Sequence, residues 1–124
     1  MSGESNIIQL IKGMKPILNE GEYVFSTIKN TQQVDRADTL GEFKEKEGVT
    51  IVMEKQRALE YGLTVESVFA WITLEIHSSL DAVGLTAAFS NELAQHQVSC
   101  NVIAGYYHDH IFVDTKDSEK AIKC

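Results

Sequence analysis

The second half of the chain alternates apolar and polar residues in a regular way. From Val68 to His77 every second residue is apolar, which is the pattern of a half-buried strand with one face toward a core. The apolar stripe of residues 79–96 predicts a helix that follows this strand. The apolar runs Val98–Tyr106 and Ile111–Asp114 predict two strands of an antiparallel hairpin, with the turn at residues 107–110.

The first half has a less regular pattern, and its predicted elements are shorter. They are a helix at 6–14 that Lys15-Pro16 ends, a strand at 22–28, a long polar connection at 29–48 with one helical turn, a strand at 49–53, and a helix at 54–61 that ends at Gly62. A glycine at that position suits a left-handed cap at the end of a helix. A further helix is expected to begin at Ser118.

The element order from residue 68 is strand, helix, strand, strand, helix, which indicates an α+β fold. A right-handed crossover after the first strand leads to a ferredoxin-like antiparallel sheet with helices on one face. The last strand of that βαββαβ pattern is missing before the chain ends. We expect the strands at 22–28 and 49–53 to complete the sheet, and the alternative is a strand from another protomer.

Composition narrows the class of protein. With 124 residues, 44% of them hydrophobic and 23% charged, the chain is expected to form one compact globular body. The net charge is −7 and the eleven Lys and Arg residues are scattered, so no nucleic acid is expected as a partner. Because no secretory signal or long apolar run is present, we expect a cytoplasmic protein with no membrane partner. Cys100 is expected to be a buried, inert thiol, and Cys124 forms no close pair with it.

The segment HSSLDAVGLTAAFSNELAQHQVSCNVIAGYYHDHIFV resembles the ACT domain family of small-ligand regulatory modules. Residues Asp81–Thr86 are similar to the family's turn of an acidic residue, two spacers, glycine and an apolar residue, with Val83 where the family has proline. Residues Ser99–Ile103 are similar to its second strand. The whole chain looks closest to bacterial ACT-like proteins of unassigned function, and its C-terminal part resembles modules of eukaryotic arginine sensors and aspartokinases.

The resemblance implies an organisation and a mode of action. It implies tandem ferredoxin-like units, a divergent one at residues 1–66 and a better ACT module at 67–124. It also implies binding of a small amino acid or similar metabolite, association into a homo-oligomer, and allosteric regulation of a separate protein instead of catalysis. No cofactor is expected, and a structural or protein-interaction module without a ligand is the main alternative.

The turn before the second-half helix is the candidate ligand site. A helix N-terminus presents unpaired backbone N–H groups that suit a carboxylate, and glycine lets the ligand approach them. Asp81 can accept a hydrogen bond from a ligand's ammonium group, while Ser79 or Asp81 alone can also serve as a simple helix cap. The residues predicted to bind the ligand are Ser79, Asp81, Val83, Gly84, Leu85, Thr86, Asn101 and Ile103.

The motif Tyr107-His108-Asp109-His110 places two imidazoles beside a carboxylate, as metal sites often do. A hairpin turn would splay these side chains into solvent, so we expect a solvated turn and no metal. The alternative is that Tyr106, Tyr107 or His108 lies at the edge of a ligand pocket or in a dimer contact. His77 is expected on the outer strand face. A small enzyme with His77 or His108 as its base is a third alternative, and no catalytic residue is assigned.

Overall fold

The computed structural model describes residues 15–75 and 85–123 and shows an α+β chain. In chain order its elements are β1 (Lys15–Leu18), β2 (Tyr23–Ile28), β3 (Thr39–Lys44), β4 (Val49–Glu54), α1 (Lys55–Glu60), β5 (Phe69–Glu75), α2 (Leu85–Gln95), β6 (Cys100–Ala104), β7 (Asp109–Asp114) and α3 (Ser118–Lys123). The chain divides into a central unit, residues 20–70, and a C-terminal unit, residues 71–124 together with 1–19. The helix predicted at 6–14 lies outside the described residues.

The central unit is an antiparallel sheet with α1 on one face. β4 pairs with β3 on one side and β2 on the other, and Tyr23 of β2 lies opposite Phe69 at the start of β5. Alternate residues of β2 and β4 point to the same face, as the period of a strand requires. On that face Val24, Ile51 and Met53 are fully buried. The strands predicted at 22–28 and 49–53 and the helix predicted at 54–61 are confirmed, and Gly62 has the left-handed φ of +74°.

The connection predicted at 29–48 is wrong in one respect, because it contains the strand β3. Two 3-10 turns precede that strand, capped by the side chains of Asn30 and Asp35. The hydroxyl of Tyr61 binds this segment, since it accepts the Asp35 N–H at 3.1 Å and donates to Asp38 at 2.5 Å. The segment is therefore ordered by contacts with the end of α1.

The C-terminal unit is a four-stranded sheet in the order β1-β5-β7-β6. β1 is antiparallel to β5, and β6 is antiparallel to β7. The core face carries Ile72, Leu74, Ile111 and Val113, none more than 5% exposed, and Leu93 of α2 and Ala121 of α3 are buried as well. The predicted alternation of β5, the hairpin, and the helices ending near His96 and starting at Ser118 are confirmed.

The strand that completes this sheet comes from the N-terminal part of the chain, but it is not one of the strands expected. β1 lies beside β5 in register with residues 72–75, whereas the strands at 23–28 and 49–54 belong to the central unit. The Lys15-Pro16 pair, interpreted as the end of a helix, begins β1 instead. Proline is tolerated there because only one side of β1 is paired among the described strands,.

The hairpin turn also differs from the prediction. It spans Gly105–His108, closed by the Gly105 N–H donating to the His108 carbonyl at 2.9 Å, while Asp109 and His110 are the first residues of β7. His110 lies opposite Ile103 on β6. This shift places His110 on the sheet, where it is half-buried.

Candidate functional site

The predicted ligand residues divide into two groups in the structure. Ser79, Asp81, Val83 and Gly84 lie outside the described residues, and so does His77. Leu85 and Thr86 are the first residues of α2. Asn101 and Ile103 lie on β6, where Asn101 is exposed and Ile103 is 39% exposed. Both have accessible side chains, and they point to the same side of the sheet because they are two residues apart.

The hairpin turn lies at the end of β5 from which the chain continues toward the predicted site. Trp71 of β5 contacts Phe112 and Thr73 contacts His110, so the β7 partner number falls as the β5 number rises. This is the signature of antiparallel strands. Because β5 and β7 run in opposite directions, Glu75, the last residue of β5, lies near the Gly105–His108 end of the hairpin. The turn is therefore near the last described residue of β5.

The side of this sheet opposite Ile72 and Leu74, which we call the outer face, carries a hydrogen-bonded cluster. Trp71 Nε1–H donates to His110 Nδ1 at 3.0 Å, and Thr73 Oγ1 lies 3.1 Å from the same nitrogen. The Asn19 amide donates to Thr73 Oγ1 at 3.0 Å and to the Trp71 carbonyl at 3.2 Å. Thr73 is 8% exposed, so its hydroxyl is a buried polar group with partners on both sides.

The cluster defines the protonation state of His110. An indole N–H is a donor only, so Nδ1 must accept and the proton of the neutral ring must be on Nε2. Burial lowers the pKa of His110 below 6.5, with a further lowering by His108 that Asp109 opposes. Burial acts in this direction because it disfavours the charged imidazolium. Both observations indicate a neutral His110.

The aromatic rings of the outer face pack closely. The Trp71 ring stacks on that of Phe112 with centroids 6.4 Å apart and planes 14° apart, and it lies 5.7 Å from the His110 ring. Phe112 is only 2% exposed although it is on the face opposite the core. Trp71 therefore packs against aromatic side chains of its own unit.

The motif that suggested a metal site is divided between two environments. His108 is in the turn, and its Nδ1 is buried with no hydrogen-bond partner among the described residues. His110 is held by Trp71, and Asp109 alternates with it along β7. Within residues 15–75 and 85–123, no three His, Cys, Asp or Glu side chains are grouped as a metal site would require. Cys100 is half-buried, not fully buried as expected, and has a free thiol.

A second concave feature lies in the central unit. A cleft of about 290 Å³ is lined by the side chains of Phe25, Ser26, Thr27, Thr50, Thr64 and Glu66. Part of its polar lining is already paired, since Ser26 donates to the Thr64 carbonyl at 3.2 Å and Thr50 donates to Glu45. No residue predicted from the sequence lies in this cleft.

Sequence reasoning did not find the Trp71–His110 pair. The alternation of β5 correctly placed Trp71 and Thr73 on the outer face. Their contact with His110 spans 37 and 39 residues of sequence and depends on the register between β5 and β7. That register is not encoded in any local pattern.

No helix in the described ranges is long and apolar enough to cross a membrane.

Comparison with known proteins covers both halves of the chain. Residues 2–70 match one ACT domain family model and residues 66–124 match a second. A solved protein of unknown function from Vibrio cholerae, described as a possible transport protein, is 41% identical; the match covers 98% of this chain and 94% of that one with a TM-score of 0.85. A protein from Agrobacterium tumefaciens is 16% identical over 89% and 84% of the two chains, with a TM-score of 0.73, and shows the shared fold alone. A search of curated proteins found no match.

The antiparallel sheets, the helices on one face and the two adjoining family matches define an α+β protein of tandem ferredoxin-like units. The chain belongs to the ACT domain family. The resemblance seen in residues 77–113 is confirmed. ACT domains are typically small-molecule-binding regulatory modules and not catalysts.

Proposed function

We propose that this chain binds a small amino acid or a similar metabolite and regulates a separate protein by ligand-dependent allostery. The observation that carries this proposal is the pair of ACT domain matches, which together extend from residue 2 to residue 124. We include in the proposal that the regulated activity belongs to a separate protein.

The proposed ligand site consists of Ser79, Asp81, Val83, Gly84, Leu85 and Thr86, with Asn101 and Ile103 as contacts from β6. Support comes from the chain path, because β5 ends beside the Gly105–His108 turn and α2 begins at Leu85. The carboxylate of the ligand would bind backbone N–H groups at the start of α2, where the helix dipole favours an anion. The ammonium group would donate to Asp81.

His108 is the proposed edge of this site. Its Nδ1 is buried and has no hydrogen-bond partner in the described part of the chain, so a ligand polar group there would satisfy an atom that is otherwise costly to bury. The enzymatic alternative gains no support from this atom, because no described nucleophile accompanies it.

The allosteric mechanism needs two arrangements of the protein that bind the ligand differently. A ligand shifts their populations only by the ratio of its two affinities, and the regulated protein reads the shift through the same linkage. We include in the proposal the division into a divergent unit at 1–66 and an ACT module at 67–124, association into a homo-oligomer, and a cytoplasmic location.

A thermal-shift screen with the twenty amino acids tests the proposal. A ligand at about a hundred times its dissociation constant adds roughly 2.7 kcal/mol to the free energy of unfolding, which raises Tm by several degrees for a chain of this size. We expect such a shift with at least one amino acid. Failure of all twenty to raise Tm would count against amino-acid binding.

Alanine variants test which residues form the ligand site. Asp81→Ala and Asn101→Ala should each abolish the shift while the ligand-free Tm stays near that of the native protein. Asn91→Ala is the matched control, since Asn91 is an exposed asparagine on α2 in the same unit, and it should keep the full shift. A response that persists in Asp81→Ala would refute the site assignment but not the binding itself.

A protein-interaction module is the second candidate, and one observation favours it. Tyr106 and Tyr107 at the hairpin turn are 95% and 85% exposed, with their rings 5.0 Å apart. Exposed tyrosines are common anchors in protein interfaces. If no amino acid shifts Tm and Tyr106→Ser with Tyr107→Ser lowers the mass measured by analytical ultracentrifugation, the interaction module replaces the ligand module.

A further inference from the structure

The hydrogen bonds around His110 distinguish its two protonation states. Trp71 Nε1–H points at Nδ1 from 3.0 Å, and this donor has no lone pair with which to accept a proton. The Thr73 hydroxyl lies 3.1 Å from Nδ1 and accepts from the Asn19 amide, so its own proton is available to donate to the neutral ring. A proton on Nδ1 would face the indole N–H, and the hydrogen bond from Trp71 would be lost.

The other side of the imidazole ring contacts the hairpin turn. A Cβ placed on Gly105 would lie 3.3 Å from His110 Nε2 and 3.4 Å from its neighbouring carbon, so the ring packs directly against that glycine. His110 thus connects Trp71 and Thr73 of β5 to the turn that ends the hairpin. A change in the hydrogen bonding of the ring therefore affects both β5 and the turn.

We propose that His110 is a pH-sensitive latch that joins β5 to the β6–β7 hairpin when neutral and releases Trp71 and the Gly105–His108 turn when protonated. The latch needs no bound ligand. It is built from a donor-only indole, a threonine whose hydroxyl is oriented by Asn19, and an imidazole that can only accept in this geometry.

Few charged or titratable groups surround the latch in the part of the chain that the structure describes. Trp71 and Thr73 of β5, Asn19 after β1, and Ile103 opposite on β6 carry no charge. His108 from the turn and Asp109 from β7 are the titratable groups that act on His110, and their effects on its pKa oppose each other. Lys15 and Glu75 form a further charged pair on the outer face.

The direction of the pH effect follows from the lowered pKa of His110. The unfolded chain, with an ordinary histidine near 6.5, binds a proton before the folded chain does. The latch therefore contributes its full stability above about pH 6.5, and that contribution is lost as pH falls from there through the folded-state pKa. The latch is therefore expected to release Trp71 and the turn at mildly acidic pH.

Trp71 is the single tryptophan of the chain, so its fluorescence reports the latch directly. Titrating the native protein from about pH 8 to about pH 5 should give a reversible change in emission with a midpoint below 6.5, because a protonated imidazole beside an indole quenches it. Far-UV circular dichroism at each pH shows that the chain stays folded. A midpoint at or above 6.5 would contradict the latch.

Two variants and a control separate the latch from other effects. His110→Asn keeps an acceptor oxygen at the place of Nδ1 but does not titrate, so the transition should disappear. His96→Asn changes a half-exposed histidine of the same unit and should keep the transition. The proposal is overturned if the transition survives in His110→Asn.

If His110→Asn does not fold, a second measurement tests the latch. In Trp71→Phe the ring remains and the N–H donor is lost, so the His110 titration followed by NMR should move up toward 6.5. An unchanged titration in Trp71→Phe would show that the indole does not control the protonation of His110, and the latch would be wrong.

Discussion

Two glycines of this chain should respond in opposite ways to the same substitution. A Cβ on Gly105 would lie 2.9 Å from the His108 backbone oxygen and 3.3 Å from His110 Nε2. The oxygen cannot move aside easily, because it accepts the Gly105 N–H at 2.9 Å to close the turn. A Cβ on Gly41 would meet no atom within 4 Å, and Gly41 has no left-handed φ.

The magnitudes follow from these contacts. Overpacking costs about 1–3 kcal/mol and a weakened hydrogen bond about 0.5–1.5 kcal/mol, while the reduced entropy of the unfolded chain returns about 0.4–1 kcal/mol. Together these ranges give a loss of about 0.5–4 kcal/mol for Gly105→Ala. Each kcal/mol lowers Tm by roughly 3–6 °C for a chain of this length. Gly41→Ala has only the entropic term and should gain up to about 1 kcal/mol.

Urea unfolding followed by far-UV circular dichroism measures both variants, and Trp71 fluorescence reports the unit that contains Gly105. We expect a lower midpoint for Gly105→Ala and an equal or higher midpoint for Gly41→Ala. If Gly105→Ala unfolds at the native midpoint, or if Gly41→Ala has the lower midpoint of the two, the turn at 105–108 does not exclude a side chain at position 105 as the structure indicates.

Two further predictions concern the core and the Tyr61 hydroxyl. Ile72→Ala should cost about 2–5 kcal/mol in urea unfolding because Ile72 is 1% exposed,. Leu18→Ala, opposite it on β1 and 47% exposed, should cost under about 1 kcal/mol, and equal costs would contradict this difference in burial. The hydrogen bond to Asp38 raises the pKa of Tyr61 above 10.0, so Asp38→Asn should bring its titration, followed by NMR of labelled tyrosine, down toward 10.0. A Tyr61 titration that does not respond would mean that the bond does not form in solution.

The elements that sequence predicted well are those whose burial is periodic. Ala70, Ile72 and Leu74 alternate along β5 and are all buried, so local pattern and tertiary packing agree there. β4 and β7 were predicted from short apolar runs instead, and three consecutive residues of each strand are buried. Gly62 marked the end of α1 correctly because a positive φ is a local requirement.

The missed strands have weak local signals. β3 is at the end of the strand order and carries an exposed Phe43 and Leu40 with charged neighbours, so it shows no clean two-residue period. β1 begins with Lys15-Pro16, and its pairing with β5 spans more than fifty residues. Strands of this kind form because a neighbouring strand offers backbone partners, and a single sequence does not reveal that partner.

In the candidate site, too, local features could be predicted from the sequence and long-range contacts could not. Asn101 and Ile103 could be placed on an accessible strand face from sequence, and the structure has them there. The contact of His110 with Trp71 could not be derived, because it depends on the β5–β7 register. The residues of the proposed ligand turn at 79–84 remain a prediction from the family resemblance.

The most direct test of the proposed function is an NMR titration of the isotope-labelled protein with each of the twenty amino acids. The account predicts saturable amide shifts with at least one of them, concentrated in residues 76–86, in Asn101–Ile103 and in the Gly105–His108 turn. Shifts confined to the central-unit cleft around Thr27, Thr50 and Glu66, or no shifts with any amino acid, would contradict it.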